Sequence, residues 1–132
     1  VAEADDDDPQ LEVEGRSLCA QRRAGGVVWF DFATLCGGPR SQNDYLEIAS
    51  RFHTVILSDV PQMTAAQASE ARRLTWLVDV LYDRRVKLIV SAAAPPDALY
   101  PAGVFAQEFE RTASRLIEMQ SKAYLDTPRR ET

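Results

Sequence analysis

Histidine and lysine are scarce in this 132-residue chain, which has one His, His53, and two Lys, Lys87 and Lys122. With only two cysteines besides, Cys19 and Cys36, it cannot assemble a four-ligand zinc site of thiolates and imidazoles. A Ser-His-Asp or Cys-His mechanism would have to run through His53. That residue lies in Arg51-Phe-His-Thr-Val55, which reads as a helix end entering a strand. Neither lysine follows a glycine, so the phosphate-cradling pattern G-x-x-x-x-G-K-[ST] is missing. On its own the chain is expected not to hydrolyse nucleoside triphosphates, and no catalytic or metal-binding residue is assigned. No apolar run approaches the roughly 20 residues of a membrane span, and no signal-peptide pattern opens the sequence. The first residue is Val1, which reads as processing or an excised piece. The cysteines are expected to be buried thiols of a reducing cytosol and not a disulfide framework.

Hydrophobic residues make up 45% and charged residues 27%, a globular balance. A chain this long is expected to form one domain and to bury roughly 68–70% of its unfolded surface. The net charge of −5 comes entirely from Glu3 and Asp5 to Asp8. The remaining sequence is neutral, so whole-domain electrostatics favours neither nucleic acid nor an anionic membrane. Residues 1–10 are expected to be an acidic disordered tail, 11–125 a single α/β domain and 126–132 a polar tail.

Within the domain, Leu11 to Gln21 and Val27 to Phe32 flank the turn signal Ala24-Gly25-Gly26 and suggest an antiparallel hairpin. Ser41-x-x-Asp44 resembles a capping box, and Tyr45, Ile48, Ala49 and Phe52 then fall on one helical face. Thr54 to Ser58 reads as a β-branched strand stopped by Asp59-Val-Pro61. Thr64-x-x-Gln67 opens a long helix with Ala71, Leu74, Leu77, Val78 and Leu81 inward and Asp83-Arg-Arg85 at its end. Val86 to Val90 is a third strand. A last helix spans about 104 to 124, with Phe105, Phe109, Thr112, Leu116 and Ala123 inward. This alternation predicts an α/β fold, a mainly parallel sheet with helices packed on it and an N-terminal antiparallel hairpin at an edge.

Ligands of such sheets sit at the carboxyl ends of strands, here Asp31, Asp59 and Ser91. Two acids and a hydroxyl so placed suggest a phosphoacceptor receiver. The acidic pair and the final lysine of a receiver are missing, however, and capping of the next turn is the simpler role for such acids. Val27-Val-Trp-Phe-Asp31 has the outline of a Walker B strand but lacks the second acid.

Arginine supplies thirteen of the fifteen basic residues. Arg111 and Arg115 lie four apart on the last helix and repel by roughly 0.2–0.5 kcal/mol unless an anion or acid is near. A phosphate would answer them, and so would Glu108 and Glu118 on the same helix. In the long helix Arg72-Arg73 precede Asp79 and Asp83, against the helix dipole, which implies partners outside the helix. Trp76 sits among these charges, either as a contact patch or as an indole half-covered by arginine stems.

Several segments together carry a family resemblance. They are Phe30-Asp-Phe-Ala-Thr-Leu-Cys36-Gly-Gly-Pro39, Asp44-Tyr-Leu-Glu-Ile-Ala49, Val55-Ile-Leu-Ser-Asp-Val-Pro61-Gln-Met63 and Ala71-Arg-Arg-Leu-Thr-Trp-Leu-Val-Asp79. Arg111-Thr-Ala-Ser-Arg115-Leu-Ile-Glu-Met119 follows. Over residues 11–125 the chain resembles the C-terminal part of the ZapE family of AAA+ ATPases, departing at Leu74 where the family usually has Phe.

The resemblance implies a parent that uses ATP and Mg2+ through an upstream core, with neither held tightly by this region. It implies Arg115, with Arg111 beside it, as nucleotide-sensing arginines, and the Arg72-Arg73 pair as a contact with the ATPase core or a neighbouring subunit; Trp76 joins this interface by its place among the arginines. The partners it implies are the upstream ATPase core, further copies of the parent, the division ring protein FtsZ or membrane-protein clients. Nucleic acid is not among them. The implied location is the bacterial cytoplasm, at the periphery of the inner membrane. Docking of a client without nucleotide contact is the alternative role.

Overall fold

A computed structural model describes residues 10–13, 15–37, 41–104 and 106–120. The expected terminal tails lie outside these residues, as do Phe105, Ala123 and the end of the last helix; Gln10, expected in the tail, opens the first strand.

Strands β1 (Gln10–Val13) and β2 (Arg16–Cys19) pair antiparallel and form a small sheet of their own. Strand β3 (Arg22–Ala24) turns through Gly25, at φ 59°, into β4 (Val27–Asp31). The single N-terminal hairpin expected from the sequence is thus two hairpins in succession. The first strand of the expected pair, Leu11 to Gln21, is itself folded into β1 and β2 and ends at Cys19, and Arg22-Arg-Ala24 restarts as an edge strand held by backbone bonds to β4.

After β4 come a short helix α1 (Phe32–Cys36), then α2 (Gln42–Arg51), β5 (Thr54–Val60), α3 (Ala68–Arg84), β6 (Lys87–Ala92) and α4 (Ala106–Glu118). The main sheet has the order β3-β4-β5-β6, with β4, β5 and β6 parallel. The α/β architecture follows the sequence expectation. Because β4, β5 and β6 lie side by side in chain order, right-handed crossovers through α2 and α3 place both helices on one face. Val28, Phe30, Val55 and Leu57 point to that face and are fully buried.

Local chemistry starts and stops these elements as their sequences suggest. Asp31 accepts from the Thr34 amide at 2.9 Å and caps α1. The Ser41 amide donates to Asp44 at 2.7 Å, and the Thr64 amide to Gln67 at 2.9 Å. The second of these caps a 3-10 turn, Ala65–Gln67, that leads into α3. Ala71, Leu74, Leu77, Val78 and Leu81 form the buried stripe of α3, and Arg85 closes the helix in the left-handed region at φ 59°.

Strand β5 runs past its expected stop at Ser58. Asp59 adopts φ 61° in a bulge, so that Leu57 pairs with Val90 and Val60 with Ala92. The extra residue restores Val60 to the buried face. Cys36 is buried as expected, but Cys19 is exposed, at the end of the small hairpin. Among the described residues no helix is long and apolar enough to cross a membrane.

Candidate functional site

The two arginines singled out on α4 converge on one carboxylate of the neighbouring helix. Arg115 Nη1 donates to Asp79 Oδ1, and Arg111 Nη2 reaches Asp79 Oδ2 at 3.5 Å. Helices α3 and α4 are pinned together nearby by a buried hydrogen bond between the hydroxyls of Thr75 and Thr112, 2.8 Å apart. That contact fixes the rotation of α4 and so aims its arginine face at α3. Glu108 and Glu118, expected as the arginines' partners, do not take that place: the acid between them is Asp79, and Glu118 accepts instead from the Tyr82 hydroxyl at 2.8 Å. Asp79 thus finds outside its own helix the partner that its position late in α3 called for.

The arginines are held unequally. The side chain of Arg115 is 28% exposed and its guanidinium lies over the Tyr82 ring, 4.9 Å from the centroid. Arg111 is 61% exposed. Arg85 stands 5.5 Å from the same centroid. The hydrogen bond to Glu118 and the charge of that carboxylate raise the Tyr82 phenol above its ordinary value of 10.0, against the pull of Arg85 and Arg115. Two guanidinium groups thus share the single carboxylate of Asp79.

The second candidate group occupies the outer side of α3. Ala68, Ser69, Arg72, Arg73 and Trp76 line an open depression of about 280 Å³. Trp76 is half-buried and packs against the core. Arg73 reaches across to donate to the Cys36 carbonyl at 3.1 Å, tying α3 to the end of α1. Arg72 is exposed at the rim. Asp79 is not part of the lining of this depression, although Arg72, Trp76 and Asp79 follow one another at helical spacing along α3.

Of the strand-end residues, Asp31 and Asp59 line a further open depression together with Pro61, Gln67 and Glu70. Within it Asp31 caps α1 and Asp59 is exposed in its bulge, while Ser91 is exposed on β6, outside that lining. The His53 ring is exposed, with Nδ1 2.8 Å from the Thr54 hydroxyl.

A sequence profile described as AFG1-like ATPase matches residues 1–128. The chain belongs to that family. It is 46% identical over 117 residues to cell division protein ZapE of Escherichia coli K12, an alignment covering 89% of this chain and 31% of that protein. It is 33% identical to lactation elevated protein 1 homolog B of Danio rerio over 146 residues, covering 86% of this chain and 29% of the relative. An uncharacterized protein of Schizosaccharomyces pombe is 32% identical over 157 residues, covering 95% and 35%. The chain therefore spans about a third of the length of the curated relatives it matches. No solved structure matches. Membership in the AFG1-like ATPase family replaces the receiver reading of the strand-end acids.

The family implies nucleotide use, typically with Mg2+. This region carries no phosphate-loop pattern in its sequence, and among the described residues no three His, Cys, Asp or Glu side chains are grouped to hold a metal ion. Arg115, the best-placed cation, is already engaged by Asp79.

Proposed function

We propose that this chain is the C-terminal region of an ATP-hydrolysing, ZapE-like AAA+ protein, and that it contributes the Arg111 and Arg115 face to a composite site completed by the upstream core or a neighbouring copy. The observation that carries this reading is the convergence of both guanidinium groups on Asp79. One carboxylate serves two cations, across the pair of helices α3 and α4. A role in cell division or in membrane-protein turnover accompanies the reading, with FtsZ or membrane-protein clients as partners and a bacterial cytoplasmic location at the inner-membrane periphery.

Arg115→Ala in the full-length protein tests it. Loss of a charge-assisted contact is expected to lower ATP turnover by about tenfold or more. Thermal unfolding of the same variant checks that the region remains folded. Unchanged turnover in a folded variant would remove Arg115 from the nucleotide response.

The alternative reading is a docking module that takes a client without nucleotide contact. The depression beside Arg72 and Trp76 favours it. Under this reading Trp76→Ala weakens client capture and leaves ATP turnover unchanged, while Arg115→Ala affects neither.

A further inference from the structure

Among the described residues, helices pack on one face of the main sheet only. Alternation along β4, β5 and β6 puts Val28, Phe30, Val55 and Leu57 beneath the helices, and puts Trp29, Ile56 and Ile89 on the opposite face. These three are aligned in register across the parallel strands, with Arg22 of β3 paired opposite Trp29. Trp29 is 37% exposed and Ile89 57% exposed, the latter on the edge strand β6. The indole N–H of Trp29 donates to the Ser58 hydroxyl at 2.8 Å, so the row offers hydrocarbon with its one side-chain donor already satisfied.

Parallel strands built from βαβ units are normally covered on both faces, because each face carries apolar side chains. A contiguous apolar row on such a sheet marks a contact. Its flanks carry both signs: Arg22 lies opposite Trp29, Lys87 two residues from Ile89, and Asp31 two residues from Trp29. The relatives, meanwhile, are about three times as long as the aligned stretch, so they have ample polypeptide to supply a cover within one molecule.

We infer that the Trp29–Ile56–Ile89 face is the surface on which the longer polypeptide docks the rest of itself, through an amphipathic helix laying an aliphatic stripe across the row. This rests on the reading of the chain as one region of a longer ATPase, and it goes beyond that reading by naming the sheet face as the seam. The contact is intramolecular and permanent, distinct from the Arg115 and Trp76 features, which lie on the helical side.

Photocrosslinking from Ile89→p-benzoylphenylalanine in the full-length protein tests it, using a mixture of isotopically heavy and light protein. Crosslinks within one molecule to a segment outside residues 1–132, undiminished by dilution, are expected. Heavy-to-light crosslinks, crosslinks confined to residues 1–132, or none at all would each overturn the inference. A smaller probe covers the case in which that variant does not fold. In full-length Ile89→Cys, the peptide carrying residue 89 is expected to react with a maleimide about tenfold or more slowly than in urea-unfolded protein. Reaction at the unfolded rate would overturn the inference. Neither assay uses ATP turnover, so failure of the Arg115 reading and failure of this one are told apart.

Discussion

Thr75 and Thr112 meet hydroxyl to hydroxyl at 2.8 Å in the seam between α3 and α4, both buried. Their bond decides which face of α4 looks at α3. Removing one hydroxyl strands the other, so Thr112→Val is expected to cost about 1–3 kcal/mol. The double change Thr75→Val with Thr112→Val should cost less than the sum of the singles, because both partners leave together. Urea unfolding of the three variants measures the coupling; additive costs would mean that the hydroxyls do not depend on one another.

Asp79 is expected to matter more than an ordinary surface acid, because it separates two cations. Asp79→Ala leaves Arg111 and Arg115 facing each other across one turn of α4. The side chains are partly exposed, so the expected loss is modest, on the order of 1 kcal/mol. It should shrink as salt is added. Unfolding midpoints at low and high ionic strength check both points, and an effect independent of salt would assign the loss to packing.

Alkaline pH should act through Tyr82. Its phenol is held above the ordinary 10.0 by the hydrogen bond to Glu118, so the folded state keeps the proton after the unfolded chain has released it. The stability this confers is fully present below pH 10.0 and is lost as pH rises through the higher folded value. Tyr82→Phe is therefore expected to flatten the alkaline decline relative to the native sequence. Denaturant unfolding across that range gives the comparison, and parallel declines would sink the assignment.

Gly103 is expected to resist substitution. Its φ of +135° is one that side chains rarely adopt, and a Cβ there would lie 2.5 Å from the Tyr100 hydroxyl and 3.0 Å from the Ala65 Cα. Gly103→Ala should cost about 1–3 kcal/mol and disturb the Tyr100 hydroxyl bond to the Val104 carbonyl. Near-ultraviolet circular dichroism and thermal unfolding would register it; an unchanged midpoint would mean that this loop relaxes freely.

The parts of the fold that could be read beforehand are those where side-chain period and burial coincide. The stripe from Ala71 to Leu81 is visible because a long helix against a core must repeat its apolar residues. Arg22-Arg-Ala24 is invisible for the opposite reason, since an edge strand secured by main-chain bonds needs no apolar alternation. The shared face of Arg111 and Arg115 follows from their spacing, and the unfavourable dipole position of Asp79 signals a partner beyond α3. That these two hints answer each other does not follow, because the pairing spans 32 and 36 residues and exists only once α4 has docked. The aligned Trp29, Ile56 and Ile89 likewise emerge only from strand register.

The bulge in β5 also bears on how this segment can change length. Between Leu57 and Val60 the strand spends three steps while β6 spends two, from Val90 to Ala92. A deletion of Asp59 would thus close the strand without moving any core side chain off its face. A deletion of Leu57, two residues earlier, would instead turn Ser58 in against the helices. Natural shortening of this strand, if it occurs, has one inexpensive place to happen.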